Sequence, residues 1–235
     1  LCQSCNVYFF QAARTMGPET LCHWADQLGF GKPTGIDIPG ERGGHLPDPA
    51  PDRKKGKSPW YPGDTLGIAI GQSRLTVTPL QIARLMAVVA NNGELVVPHL
   101  AYSIVPSAES TTTTRQIISH PQRYVSGIHP DTLERVREGL IDVVANPHGT
   151  GYKTVRMKEI SIAGKTGTAE TGGGKNDHAW FAGFVPATRP KYAFAVVIEH
   201  GGSGSRVAGP VAQKLVRAML DTGLLQPTAA KLQAN

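Results

Sequence analysis

Apolar residues keep helical spacing across several separate stretches of the chain. Val7, Phe10, Ala13 and Arg14 do so over Asn6 to Met16, and Pro18 to Leu28 continues after the Gly17-Pro18 break, with Gly29 just past the end. Together these read as a helical hairpin. In "TPLQIARLMAVVANNGELVVP", Thr78 is the expected N-cap and Pro79 the first helical position. Leu80, Ala83, Met86, Ala87 and Ala90 share one face there, Asn92-Gly93 stops the helix, and Leu95 to Pro98 leaves as a strand. A further helix is expected over Pro130 to Val144, with Leu133, Val136, Leu140, Ile141 and Val144 inward. Another is expected over Pro210 to Leu220, with Val211, Leu215 and Ala218 toward a sheet.

The remaining apolar runs are shorter and strand-like: Ile160 to Thr168, Ala179 to Val185 and Tyr192 to His200. Strands in close succession after a run of helices, without βαβ alternation, predict an α+β fold with an antiparallel sheet flanked by helices. Gly35 to Gly63, rich in Gly, Pro and charge, reads as a long irregular excursion. Thr111 to Thr114 read as a solvated loop or edge strand, and no internal repeat is visible.

Composition narrows the class. The chain has 235 residues, 40% hydrophobic and 18% charged, as in an ordinary globular protein. No stretch reaches the roughly 18 continuous apolar residues of a membrane span. The net charge of +6 is scattered apart from Arg53, Lys54, Lys55 and Lys57, which lie in the irregular excursion and read as a solvated loop, so no nucleic-acid partner is expected. Three cysteines, Cys2, Cys5 and Cys22, define neither a disulfide framework nor a zinc site. Leu1 to Phe10 has no initiator Met, basic n-region or cleavage signature, and reads as the interior of a longer protein.

The stretch with most chemistry is "ISIAGKTGTAETGGGKNDHAWFAGFVP". A phosphate-binding loop needs a glycine five positions before its Gly-Lys pair, where this chain has Glu159, and Ile160 to Ala163 in between read as strand rather than turn. Gly29-Phe30-Gly31 likewise lacks the third glycine of a dinucleotide fingerprint, since Thr34 stands there. The other reading is a Lys-Thr-Gly triplet on a strand. There Lys165 and Gly167 face one way and Thr166 and Thr168 the other, and Gly167 leaves room for a ligand to approach. An ammonium and hydroxyls beside such a gap suit a carboxylate.

Ser4-Cys5-Asn6 supplies the companion signal. Ser-x-x-Lys, Ser-Asp-Asn and Lys-Thr-Gly mark serine enzymes that react with penicillin. Ser4-Cys5-Asn6 matches the second motif and Lys165-Thr166-Gly167 the third. With "WYPGDTLGIAIGQSRLTVTPLQIARLMAVVANNGELVVPHL" and "AGKTGTAE...DHAWFAGFVP", the chain from about Ser4 to Leu225 resembles the transpeptidase domain of class B penicillin-binding proteins, of the penicillin-binding protein 2 type.

That resemblance implies a peptidoglycan D,D-transpeptidase of cell-wall elongation. It would cross-link stem peptides through a serine acyl-enzyme, be the target of β-lactams, and need no cofactor, with no metal ligands among these residues. Ser4 would pass a proton between the general base and the leaving nitrogen, and Asn6 would hold the substrate amide. Lys165 would lend positive potential. Thr166 and Thr168 would bind the carboxylate beside Gly167, and the Thr168 N–H would serve the oxyanion hole. The implied partners are stem peptides, β-lactams and a glycan polymerase. The implied location is the outer, periplasmic face of the bacterial cytoplasmic membrane, through an anchor outside these residues. A non-catalytic penicillin-recognising or β-lactam sensor domain is the alternative, and a β-lactamase a third, for which no deacylating carboxylate is apparent.

One motif is missing, because no serine in the chain is followed three positions later by lysine. Residues 1–235 are therefore expected to be the C-terminal part of a single transpeptidase domain whose upstream part carries the nucleophile, with 226–235 a flexible tail. This polypeptide alone is expected to form no acyl-enzyme. The family sheet would also lack its first two strands, leaving the Tyr192 to His200 edge bare and the isolated chain marginal in solution. His178 reads as either a cleft residue or a structural one. Gly172 to Gly174 read as a turn, Gly71-Gln72-Ser73 departs from the family's Gly-Gln-Gly, and Cys5 reads as packing.

Overall fold

The computed structural model describes residues 1–49, 59–105, 116–120 and 123–228. The basic cluster Arg53 to Lys57, the four threonines at 111–114 and most of the expected tail at 226–235 lie outside these described residues.

The helical hairpin is formed by α1 (Asn6–Met16) and α2 (Pro18–Gln27). Gly17 joins them at φ 82°, a left-handed geometry that favours glycine, and Pro18 starts α2 where its missing N–H costs nothing. Next come α3 (Pro62–Ala69), α4 (Pro79–Ala90) and a small ribbon of β1 (Ser103–Ile104) and β2 (Gln116–Ile117). They are followed by α5 (Pro130–Ala145) and α6 (Tyr152–Val155). Three longer strands complete the centre: β3 (Ala163–Ala169), β4 (His178–Val185) and β5 (Tyr192–Ile198). A π-helical turn, Gly204–Ala208, leads into α7 (Gly209–Asp221).

The three strands form an antiparallel sheet in the order β3-β4-β5. Their period-two alternation builds one core on each face. On one side Ala179, Phe181 and Val185 join Phe194, Val196 and Ile198 against Ala212 and Val216 of α7 and Val155 of α6. On the other, Ala163, Ala182, Phe184, Ala193 and Ala195 pack on Met86 and Val89 of α4 and Leu140 of α5. Alanines at four of those five sheet positions let the helices approach closely. The result is an α+β architecture of helices, antiparallel sheet and helices, and β3 and β5 are its two edges among the described residues.

Several details differ from the sequence expectation. On α4 the buried residues are Gln81, Arg84, Met86, Val88 and Val89, rather than the Leu80, Ala83, Met86, Ala87 and Ala90 stripe. The cause is tertiary: Arg84 donates to the carbonyls of Thr34 and Gly29, and Gln81 Nε2 to those of Lys32 and Gly43. These two side chains satisfy the carbonyls of a loop that has no strand partner to do so. On α7, Ala212 and Val216 are buried while Val211 and Leu215 are each 39% exposed, so the sheet-facing stripe is offset by one residue. Leu95 to Pro98 forms no strand and is preceded by the single bridge Glu94 to Tyr124. The strand expected from Ile160 begins only at Ala163, because Ile160 and Ile162 turn into the α7-side core. The short helices α3 and α6 had no clear apolar period to reveal them.

Candidate active site

The site begins with register. Lys165 pairs with Ala182 and Thr166 with Phe181, which puts Lys165 on the α4 and α5 face of the sheet and Thr166 on the α7 face. A turn closed by the Ser4 N–H bonding to Leu1 O, at 3.1 Å, precedes α1. The Thr150 N–H donates to Cys2 O at 3.2 Å and ties that turn to the segment after α5. Cys5 is the residue that caps α1, with no side-chain cap bond, so the Ser4 hydroxyl is not engaged as a cap. Ser4 itself holds φ 53°, an uncommon conformation for a residue with a Cβ.

These two elements meet. Lys165 Nζ donates to Ser4 Oγ at 2.8 Å and to Thr166 O at 2.8 Å. Burial pushes the Lys165 ammonium below its ordinary value of 10.5, because the sheet and helices displace water that would stabilise the charge. Asn6 opens the first turn of α1, two residues beyond Ser4, and is exposed.

The threonines are placed unequally. Thr166 is 9% exposed, and its Oγ1 lies 2.7 Å from Thr150 Oγ1. Thr168 is exposed, its Oγ1 accepting from the Gly204 N–H at 3.1 Å and its carbonyl from Gln72 Nε2 at 3.2 Å. The carbonyls of Thr166 and Thr168 thus both accept from groups outside the β3–β4 ladder. On an antiparallel strand the N–H and C=O of one residue point to the same edge, so the N–H groups of these residues also face the open side of β3. Gly167 between them carries no side chain. Gly204 packs so closely behind it that a Cβ there would overlap Gly167 O and stand 2.7 Å from Trp180 O.

His178 lies opposite Ala169, and its Nδ1 accepts from the His200 N–H at 3.0 Å. The two rings are 4.9 Å apart, so this histidine ties the β3–β4 hairpin to the end of β5. Gly172, Gly173 and Gly174 hold φ of 68°, 62° and 73°, three successive left-handed residues between β3 and β4. A cavity of about 520 Å³ lies beside the α1 turn, lined by Cys2, Cys5, Tyr8, Phe9, Asn146 and His148 among others. Among the described residues no group of three His, Cys, Asp or Glu is placed to hold a metal ion.

Two residues of the site lie outside the Ser-x-Asn and Lys-Thr-Gly motifs: Thr150, which pairs with Thr166, and Gln72, which bonds Thr168 O. Nothing local marks Thr150; its role appears only when the segment after α5 folds against β3.

A helix-flanked antiparallel sheet, with Ser-x-Asn heading one helix and Lys-Thr-Gly on the facing edge strand, defines the class of penicillin-recognising domains. The chain belongs to the penicillin binding protein transpeptidase domain family, whose model matches residues 1–217. It is 34% identical to the peptidoglycan D,D-transpeptidase MrdA of Haemophilus influenzae over 95% of its length, and spans 36% of that relative. Among solved structures it is similar to the penicillin-binding protein PBP2 of Helicobacter pylori in complex with MreC. The TM-score is 0.81 at 31% identity, over 95% of this chain and 39% of that one. It is also similar to Pseudomonas aeruginosa PBP2 in complex with WCK 5153, with a TM-score of 0.80 at 33% identity, over 98% and 48% of the two chains.

Proposed function

We propose that these residues form one wall of the active site of a peptidoglycan D,D-transpeptidase of cell-wall elongation, inhibited by β-lactams. The observation that carries the reading is the 2.8 Å contact of Lys165 Nζ with Ser4 Oγ, beside an open strand edge. Because Lys165 donates to Ser4 Oγ, the serine's own proton is left free to be donated elsewhere. In an acyl transfer that proton goes to the leaving D-Ala nitrogen, and Ser4 recovers one from the general base.

The nucleophilic serine and base lysine of Ser-x-x-Lys do not occur in this sequence and are assigned to residues outside it. That serine's Oγ attacks the carbonyl of the penultimate D-Ala of a stem peptide and forms a tetrahedral oxyanion. Collapse breaks the peptide bond to the last D-Ala and leaves an ester, which an amine of a neighbouring stem then attacks. The Thr168 N–H on the open edge of β3 is suited to the oxyanion, and such a donor is worth about 10² to 10³ in rate. Asn6, exposed at the first turn of α1, accepts from or donates to the substrate amide in this reading. Lys165 supplies positive potential for the terminal carboxylate, with the hydroxyls of Thr166 and Thr168 beside Gly167 as its hydrogen-bonding partners. For Thr166 this requires its hydroxyl to turn from Thr150 or to donate outward while accepting from it.

The substrates are stem peptides, and a glycan polymerase of the elongation complex is the partner. The MreC complex of the similar Helicobacter pylori protein supports membership of such an assembly. The site works on the outer face of the cytoplasmic membrane; no helix among the described residues is long and apolar enough to cross one, and the anchor is assigned outside them. Incubating the full-length gene product with a fluorescent penicillin tests the reading. A stable adduct on the Ser-x-x-Lys serine is expected, reduced at least tenfold in a Lys165→Ala variant, and the 235-residue chain alone should gain no mass. Absence of any adduct on the full-length protein, or an adduct at Ser4, would overturn it.

A further inference from the structure

Residues Trp60 to Arg74 form a tightly determined brace beside β3. The Asp64 carboxylate accepts from the Tyr61 N–H at 2.9 Å, Ser73 Oγ at 3.1 Å and Arg74 Nη2 at 2.9 Å. The Arg74 guanidinium lies 5.3 Å from the centre of the Trp60 ring, and Trp60 Nε1 donates to Thr65 Oγ1 at 2.9 Å. The end of α3 turns back through the Gln72 N–H donating to Gly67 O at 2.8 Å, with Gly71 at φ 76°. Ser73 holds φ 66°, a conformation that glycine adopts more readily than a residue with a Cβ, and its bond to Asp64 helps to hold it there. A Cβ on Gly67 would stand 2.6 Å from Ser73 Cβ, so the turn has little freedom.

The tip of this brace is Gln72, and its amide crosses to β3. Gln72 Nε2 donates to Thr168 O at 3.2 Å, a contact between residues 96 positions apart. That carbonyl is on an exposed strand edge, where water would satisfy it, so the bond is not needed to avoid an unsatisfied group. It does fix the plane of the peptide following Thr168, at the end of an edge strand that has no neighbouring strand among the described residues to hold it. The Gly204 N–H fixes the same residue from its side chain. We infer that Gln72 is a positioning residue: braced by Asp64, Ser73 and Arg74, it holds the peptide after Thr168 and so, through the Cα that both peptides share, steadies the preceding peptide whose N–H meets the substrate carbonyl oxygen. This inference rests on the transpeptidase reading, in which that N–H meets the oxyanion.

An aimed donor acts on the transition state more than on ground-state binding. The test uses the full-length protein with Gln72→Leu, and with Gln72→Glu, which keeps the length of the side chain but removes the donor. Acylation by a chromogenic β-lactam is split into the saturation constant and the first-order acylation rate. The ester carbonyl stretch of the adduct is read by infrared difference spectroscopy. Both variants should acylate about 10-fold more slowly, less than the roughly 100-fold cost of deleting an oxyanion donor outright. The saturation constant should change little, and the ester carbonyl stretch should move to higher frequency as its hydrogen bond weakens. Unchanged acylation and unchanged carbonyl frequency in both variants would overturn this inference alone. So would a loss confined to the saturation constant. If the unaltered protein forms no adduct, the functional reading falls and takes this inference with it.

Discussion

Lys165 Nζ and Ser4 Oγ are 2.8 Å apart although 161 residues separate them in sequence. This contact joins the head of α1 to the edge strand β3 and makes one groove out of two motifs. It also places a half-buried ammonium where an anionic substrate group would be welcome, since charge-assisted bonds are the stronger kind.

Removing that ammonium should separate activity from folding. Lys165→Ala is expected to lower β-lactam acylation of the full-length protein by at least tenfold. Burial depresses the lysine, so its charge is lost at a pH below the ordinary 10.5. The folded state then binds fewer protons than the unfolded chain between the depressed value and 10.5. The desolvation penalty on the charge is present below that window and is relieved as pH rises through it. Acylation should therefore show an alkaline fall beginning below pH 10.5. In Lys165→Arg that limb should move upward, because guanidinium stays charged. Stopped-flow rates against pH check both.

The Thr150 and Thr166 pair tests whether a buried hydroxyl serves structure or substrate. Thr150→Val strands the Thr166 hydroxyl and should cost about 1 to 3 kcal/mol, read as a lower denaturation midpoint. Thr150→Val with Thr166→Val removes both partners and should recover most of that loss. If Thr166 binds substrate carboxylate, the double variant will regain stability while its affinity for β-lactam stays weakened.

Gly67 and Ser73 should behave as a coupled pair. Gly67→Ala brings a methyl to 2.6 Å from Ser73 Cβ and is expected to destabilise by about 1 to 3 kcal/mol. Ser73→Gly loses the bond to Asp64 but relieves the left-handed backbone, so its own effect should be within about 1 kcal/mol. Combined, the two should be more stable than Gly67→Ala alone. A double-mutant cycle from urea melts gives the coupling energy.

Arg84 is the single charged residue of α4. It is 6% exposed and its two bonds hold the carbonyls of Gly29 and Thr34, while a Cβ on Gly29 would overlap its guanidinium. Arg84→Met should cost about 2 to 4 kcal/mol, because it leaves buried carbonyls without donors. Arg84→Lys should not restore it, since one ammonium cannot reproduce the planar fork. Chemical denaturation of the three proteins checks the order.

Much of the element list was readable locally. Gly17-Pro18 punctuates the hairpin, Thr78 and Gln81 form a capping box ahead of an apolar run, and the apolar stretches of β4 and β5 are plain. The faces of α4 and α7 were not readable. α4 carries apolar residues on nearly every side, and its buried polar pair answers to a loop some fifty residues upstream. α7 has two apolar stripes one residue apart, and only the packing of Ala212 against the sheet selects between them.

The residues by themselves determined that Ser4, Asn6 and the Lys165 triplet belong to a penicillin-recognising pattern, that Ser-x-x-Lys does not occur here, and that β3 must turn Lys165 and Thr166 to opposite faces. Tertiary structure decided that Ser4 meets Lys165, that Thr166 turns toward Thr150, and that Gln72 grips Thr168. The division follows from range: the alternation of a strand and the cap of a helix are set within a few residues, whereas what covers a face or reaches an edge is chosen by packing between distant segments.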